Sequence, residues 1–303
     1  MNKAFRKLSY PYLGWLVVFA IIPIFVMLFL SFTSGEGLSL EGSKLSFNSF
    51  NLLIDQATLV AIKNSFLYAG ISTLISLVLG YFVAYQLFKS KIKNKLLILT
   101  IFILPMWSNL LLRTEALGNM MEHNNIVTSI LSRVNINISI GIKGTPLAVI
   151  IGLIFTYLPF VILPVYTALE KIEYNLQEAS LDLGLTEFQT FWKVIFPLSL
   201  KGVITGSILV FLPSLSGFAV PEILGKGNVL FIGNIIEQAF KNMNYSFGSL
   251  LSIFIIMLIT AALLIVNKVD KEGETLLWIN IQKQLSKNMV IKTINTLRLS
   301  IKY

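Results

Sequence analysis

The chain alternates long apolar runs with short polar connections. A helix rises about 1.5 Å per residue, so roughly 20 apolar residues cross the hydrocarbon core of a bilayer. Runs free of Asp, Glu, Lys and Arg occupy residues 12–32, 64–88, 145–169, 202–220 and 247–266. A sixth run, 96–112, is shorter and holds Pro105. Membrane helices tolerate proline where neighbours satisfy the freed carbonyl, so this run counts as a span too. The pattern predicts an all-α polytopic membrane protein with six transmembrane helices. The first run follows Lys3, Arg6 and Lys7, as a secretory signal would. Its apolar stretch exceeds the roughly 7–15 residues of a cleaved signal, and no Ala-x-Ala site follows. It is expected to be an uncleaved first helix.

An even number of spans puts both termini on one side. The termini and the even-numbered connections carry 17 of the 24 Lys and Arg residues. These include Lys89, Lys91, Lys93, Lys95, Lys171, Lys193 and Lys201, and the positive-inside rule therefore predicts two cytoplasmic termini. The outer loops are then 33–63, 113–144 and 221–246, none large enough for a separate domain. The organisation expected is a cytoplasmic N-terminus over 1–11, a membrane domain over 12–267 and a basic cytoplasmic tail over 268–303. In that tail Leu277, Ile281 and Leu285 fall on one helical face beside Lys283 and Lys287. That is the pattern of an interfacial helix on an anionic leaflet, or of a tail with no fixed structure.

Composition narrows the chemistry. Of 303 residues 55% are hydrophobic and 13% charged, against roughly a quarter charged in soluble domains. Cysteine is absent and His123 is the single histidine. Thiolate or histidine metal sites, cysteine nucleophiles and a Ser-His-Asp triad therefore have nothing to build on, and no metal or cofactor is expected. The formal charge of +9 belongs to cytoplasmic loops rather than to a nucleic-acid surface, because no basic stripe with interleaved aromatics lies outside the spans.

The connection 170–201 differs from the others. It is nearly balanced in charge and reads as two short helices. Asn175 with Glu178 three residues on fits a capping box, and Gly184 suits the left-handed position that ends a helix. Leu176, Ala179 and Leu183 then share one face. Thr186 with Gln189 repeats the capping signal, Phe188, Phe191, Trp192 and Ile195 form a second apolar stripe, and Pro197 is expected to close it. Two apolar faces on an aqueous loop need a surface to cover them, either the protein's own spans or a partner.

The series Glu178-Ala179-Ser180, three residues, Gly184, nine residues, then Val194-Ile195-Phe196-Pro197 resembles the EAA loop of ABC-importer permeases. Ser180, Val194 and Phe196 depart conservatively from that pattern, and its spacing is intact. Leu104-Pro105-Met106-Trp107-Ser108-Asn109, the run 159–166 and Ile232-Gly233-Asn234-Ile235-Ile236 are similar to spermidine/putrescine permeases, most of all their B-type subunits. The likeness covers roughly residues 12–267.

The resemblance implies a type I ABC importer permease fold and a transporter subunit rather than an enzyme. It also implies a second permease subunit, a dimer of cytoplasmic ATPase subunits and an extracytoplasmic binding protein that delivers a polyamine. A coupling helix for the ATPase would comprise Leu176, Glu178, Ala179, Ser180, Leu183 and Gly184, with Pro197 beyond. Trp107 and Glu222 occupy positions where polyamine permeases place an aromatic ring and an acid. Glu115 is added on location alone. Ala219 stands where relatives can have a tyrosine, so one aromatic contact is missing or comes from the partner permease.

The sequence agrees with divided labour, since it contains no Gly-x4-Gly-Lys-Ser/Thr phosphate loop. Gly202-x3-Gly206 is a small-xxx-small pair, for packing within the chain or at a subunit interface. A permease for another solute and a gradient-driven secondary transporter are the alternatives. The latter would place ionisable residues deep in a span, where this sequence has none.

Overall fold

The protein is described by a computed structural model covering residues 11–34 except 13, 44–123, 125, 128 and 141–269. Helix α1 (Gly14–Leu30) leads to a two-residue antiparallel ladder of β1 (Thr33–Ser34) with β2 (Lys44–Leu45). The short α2 (Asn48–Asn51) precedes α3 (Gln56–Lys89). Then come α4 (Lys95–Trp107), α5 (Leu110–Met120), α6 (Pro146–Tyr157) and α7 (Pro159–Glu170). They are followed by α8 (Tyr174–Asp182), α9 (Glu187–Ser216), α10 (Ala219–Gly225), α11 (Ile232–Lys241) and α12 (Tyr245–Val269). The small ladder adds to the all-α expectation. Phe32, Phe47 and Phe50, with ring centroids 5.6–5.9 Å apart, pack together beside it. The tail over 268–303 lies outside the described residues apart from its first two positions, so its expected interfacial helix does too.

The six apolar runs recur as helices, but not as six unbroken spans. Helices α3, α9 and α12 are long and apolar enough to cross a membrane alone. The pairs α4–α5 and α6–α7 are bent by 93° and 44°, and counting each as one span gives five. Helix α1 is apolar but shorter than such a crossing requires. Prolines account for the breaks. Pro159 opens α7 directly after α6, and Pro105 sits in a tight 3₁₀ turn, Leu104–Trp107, that ends α4. A proline lacks the N–H that would continue the ladder and clashes with the preceding turn.

The fifth span also differs from expectation. Pro197 does not close a helix. A wide π turn at Phe191–Ile195 precedes it, and Pro197 stands in the first turn of the regular stretch that follows. There its missing N–H costs least. The second loop helix and the fifth span are therefore one continuous helix, α9. It ends at Ser216 rather than reaching residue 220, where Gly217 turns the chain extended.

Helix α3 shows how a membrane chain packs. Its buried positions are almost all small: Thr58, Ala61, Ser65, Ala69, Ser72, Thr73, Ser76, Gly80 and Ala84, with Leu87 at the end. Its large residues Phe66, Leu74, Val78 and Phe82 point outward. Lipid is as apolar as leucine, so burying bulk gains little, and small residues at intervals of three and four let helices approach closely. Helices α3, α7 and α9 form the centre. A Cβ on Gly80 would lie 2.7 Å from Val161 Cγ1, and one on Gly206 3.2 Å from Val161 Cα. At Gly202 it would meet Pro164 O at 2.6 Å. The Gly202–Gly206 pair is thus an internal packing device, both residues being buried against α7 of the same chain. A second cluster joins α11 to α12 through Ile232, Ala239, Phe247, Leu251 and Ile255.

Candidate functional site

The 170–201 connection carries α8 and the first turns of α9. Helix α8 starts at Tyr174, after Glu173, and no side chain caps it, so the capping box expected of Asn175 and Glu178 does not form. Its other end follows the expectation. Gly184 has φ +85, its N–H donates to Leu181 O at 2.9 Å, and Leu185 N–H donates to Ser180 O at 3.2 Å. These are the two bonds of a Schellman motif, which requires a left-handed residue at this point. The Thr186–Gln189 capping box is present in both directions and starts α9.

Leu176, Leu181 and Leu183 are exposed, Leu183 at 85%, and Glu178 and Ala179 lie on the outside with them. Ser180 points the other way and is buried. Its hydroxyl donates to Gln177 O at 2.7 Å, which leaves the Thr190 hydroxyl, 2.9 Å away, to donate across the loop. Ser180 is therefore an internal tether between α8 and α9, a role not visible in the motif. Of the second stripe, Ile195 is buried and Phe191 packs on Tyr85 with ring centroids 4.9 Å apart, whereas Phe188 and Trp192 stay exposed. Lys89 at the end of α3 pairs with Glu187 at 2.9 Å, closing the base of the loop.

Trp107 lies at the 93° bend between α4 and α5 and is 85% exposed. The bend is held by polar contacts. The Pro105 carbonyl accepts from Ser108 N–H at 3.3 Å, Ser108 Oγ at 2.6 Å and an Arg113 guanidinium nitrogen at 2.6 Å. Asn109 Oδ1 caps α5 by accepting from the Leu111 and Leu112 N–H groups. These bonds satisfy backbone groups at the break locally.

Helices α5 and α10 pack against each other, which places Glu115 and Glu222 on neighbouring elements, but their charges are engaged separately. Glu115 reaches the nearly buried Lys143 at 3.5 Å. Lys143 also binds Glu122 at 3.2 Å, and Lys226 binds Glu122 at 3.0 Å. Hydrogen bonds from Lys226 and Lys143 hold the Glu122 carboxyl below its usual range.

Glu222 belongs to a different group. It shares a hydrogen bond with Glu237 of α11, and that bond, then burial, pushes its carboxyl up. Burial works to raise Glu237, but the bonds to Glu222 and Lys241 outweigh it and hold Glu237 low. Lys241 Nζ lies 2.7 Å from Glu237 and 3.9 Å from Glu222. Two carboxyl groups from neighbouring helices thus converge on one ammonium. Sequence reasoning missed Glu237. Its available signal was the Glu237–Lys241 spacing of four, which reads equally well as a solvated helix pair. Among the described residues the structure thus joins Glu222 with Glu237, leaves Glu115 in a separate ion network, and shows no polar contact of Trp107 with either.

Comparison with known proteins identifies the family. Residues 2–270 match the family described as binding-protein-dependent transport system inner membrane component. A spermidine/putrescine transport system permease protein, PotB, from Haemophilus influenzae is 34% identical over 274 residues, covering 89% of this chain and 96% of the relative. Its Escherichia coli counterpart is 35% identical over 254 residues, covering 83% and 92%. Among solved structures, a chain of a bacterial ABC transporter that imports the acidic polysaccharide alginate superposes with a TM-score of 0.73. The identity is 17%, and 88% of this chain and 95% of that one are covered. A second structure of such a transporter, with an alginate-pentasaccharide-bound periplasmic protein, gives 0.72 at 16% identity, covering 90% and 95%. This chain belongs to the family of inner-membrane permease components of binding-protein-dependent transport systems.

Proposed function

We propose that this permease subunit forms half of the pore of an ABC importer for linear polyamines such as spermidine and putrescine. The observation that carries the substrate reading is the Glu222–Glu237 pair with the Lys241 ammonium seated between its carboxylates. A substrate ammonium displaces Lys241, and the next one along the apolar stem finds the exposed Trp107 ring. A cation over an indole contributes about 0.5–2 kcal/mol. Glu115, bound to Lys143, attracts the cation toward the entrance without holding it. The likeness to permeases named for spermidine and putrescine supports the same substrate class.

Both termini and α8 of the 170–201 connection lie on the cytoplasmic side, where α8 docks on an ATPase subunit of a separate dimer. Leu176, Ala179 and Leu183 enter its groove, with Glu178 near the rim. Gly184 turns the chain away, Ser180 ties α8 to α9 through Thr190, and Pro197 starts the regular stretch of α9 above the loop. A second permease subunit completes the pore, and an extracytoplasmic binding protein delivers the polyamine at the end where Glu222 lies. ATP-driven closure of the ATPase dimer moves α8 as a rigid body and tilts the helices behind it.

The test is uptake of labelled spermidine and putrescine by the assembled transporter in vesicles, with the ATPase subunit present or omitted. Uptake of either that requires the ATPase subunit and falls in Trp107→Ala and Glu222→Gln is the expected result. If the parent imports neither polyamine, or both variants match it, the substrate assignment fails.

A further inference from the structure

Between the second half of α3 and the first half of α9 lies an open groove of ≈ 810 Å³. Val78, Phe82 and Tyr85 form one wall, and Phe188, Trp192 and Phe196 the other. Phe82 is 61% exposed within it. From Leu77 to Lys89 the groove follows thirteen residues of α3, a rise of about 18 Å, close to the roughly 15 Å of one hydrocarbon leaflet. At its Lys89 end it meets a second cleft, of ≈ 650 Å³, which shares Tyr85, Lys89 and Glu187 and is lined by Lys91 and Lys95.

The turn 89–95 carries four lysines: Lys89, Lys91, Lys93 and Lys95. Among the described residues only Lys89 of these has a carboxylate partner, Glu187. Lys95 donates to the Phe88 carbonyl at 2.7 Å, and Lys91 and Lys93 have no ion-pair partner among the described residues. An apolar channel one leaflet long thus ends at a surplus of ammonium groups.

We propose that this groove is a binding site for an anionic phospholipid of the lysine-side leaflet, with one acyl chain along α3 and α9 and the phosphate between Lys91 and Lys95. The groove faces the membrane, where lipid is the surrounding solvent, and the lysines select negative headgroups over zwitterionic ones. A lipid there wedges against Phe188 and Trp192 at the foot of α9 and steadies the base of the coupling loop. The site rests on the membrane placement of α3 and α9 and not on the identity of the transported solute.

The experiment uses the assembled transporter. The photoreactive residue p-benzoylphenylalanine replaces Phe82, and the complex is irradiated in native membranes. In parallel, nanodiscs of mixed phosphatidylglycerol and phosphatidylcholine are used to measure lipid retained by the purified complex. Cross-linking to phospholipid is expected. Lys91→Glu/Lys95→Glu is expected to lower retained phosphatidylglycerol by about tenfold with phosphatidylcholine unchanged. The milder Lys91→Gln/Lys95→Gln serves if the charge reversal does not assemble. Cross-linking of position 82 to the second permease subunit would overturn the proposal, because that subunit then fills the groove. Unchanged phosphatidylglycerol retention in the lysine variants would overturn it as well. Neither readout depends on polyamine uptake, so this site and the solute assignment fail independently.

Discussion

Replacing Gly184 isolates the backbone of the loop proposed to couple to the ATPase from its surface. The residue sits at φ +85, and a Cβ built there meets nothing within 4 Å. Any cost of substitution therefore comes from the backbone and not from collision. For alanine the left-handed conformation costs about 1–2 kcal/mol, a five- to thirty-fold loss of the native turn. Asparagine tolerates that conformation and loses less. Proline cannot adopt it at all, and it removes the N–H that donates to Leu181 O. The Leu185–Ser180 bond goes with it, so each of two hydrogen bonds worth about 1 kcal/mol is lost and the last turn of α8 unwinds.

The predicted order of ATP-coupled uptake is Gly, then Asn, then Ala, with Pro abolishing it while membrane insertion persists. The assay is solute moved per ATP hydrolysed by the complete transporter in vesicles. Normal coupling in Gly184→Pro would refute the reasoning, and so would equal values for Asn and Ala, since conformation alone separates them.

Other outcomes follow from the same geometry. Ser180→Ala should leave the Thr190 hydroxyl buried without its partner, at about 1–3 kcal/mol. In a double-mutant cycle on coupling efficiency, adding Thr190→Val should cost less than the sum of the single changes. Gly202→Val should destabilise the complex by at least about 1–3 kcal/mol, because its Cβ would press on the Pro164 carbonyl. Gly70→Ala meets nothing within 4 Å and should gain up to about 1 kcal/mol, both read by thermal denaturation of the purified transporter. Glu222 titrates above the usual carboxylate range, and only its ionised form attracts an ammonium. Affinity for polyamine should therefore be full above that pKa and fall as external pH drops through it, and Glu222→Gln should lose this pH dependence in an uptake-KM series. Deleting the residues after Gln282 should leave uptake near the parent's.

What was legible in the sequence was what depends on neighbours along the chain. The Thr186–Gln189 box and the left-handed Gly184 are local features, and both stand where the residues place them. Asn175 and Glu178 have the same spacing as a capping box, but spacing does not say which residue begins the helix. The helix begins at Tyr174, which leaves Asn175 inside its first turn. Pro197 reads as a terminator only if the preceding turn is a regular one. The π turn at Phe191–Ile195 removes that condition, and within it Phe191 packs on Tyr81 and Tyr85, partners distant in the chain. The 93° bend was marked by Pro105, but its angle depends on Arg113 reaching back eight residues to the Pro105 carbonyl. The Ser180–Thr190 tether and the Glu222–Glu237 pair join separate elements, and no periodicity announces such partners.

The continuity of α9 changes how the two ends of the molecule relate. Its 30 residues run about 45 Å, from the foot of the coupling loop to Ser216. At the foot, Thr190 ties it to α8. Along its length, Gly202 and Gly206 bring it so close to Pro164 and Val161 of α7 that it cannot slide past without moving α7. Tyr81 of α3 adds a bond to Ser199 at 2.8 Å. Close-packed interfaces of this kind move as bodies rather than deform. Beyond Ser216 only Gly217 and Phe218 precede α10, which carries Glu222. The Phe218 carbonyl accepts from Asn234 Nδ2 at 3.0 Å, anchoring this joint to the first turn of α11, which carries Glu237. A tilt of α9 therefore acts on a short joint pinned on its far side. That joint lies beside Glu222 and Glu237, so under the proposed function a tilt of α9 reaches the cation site first.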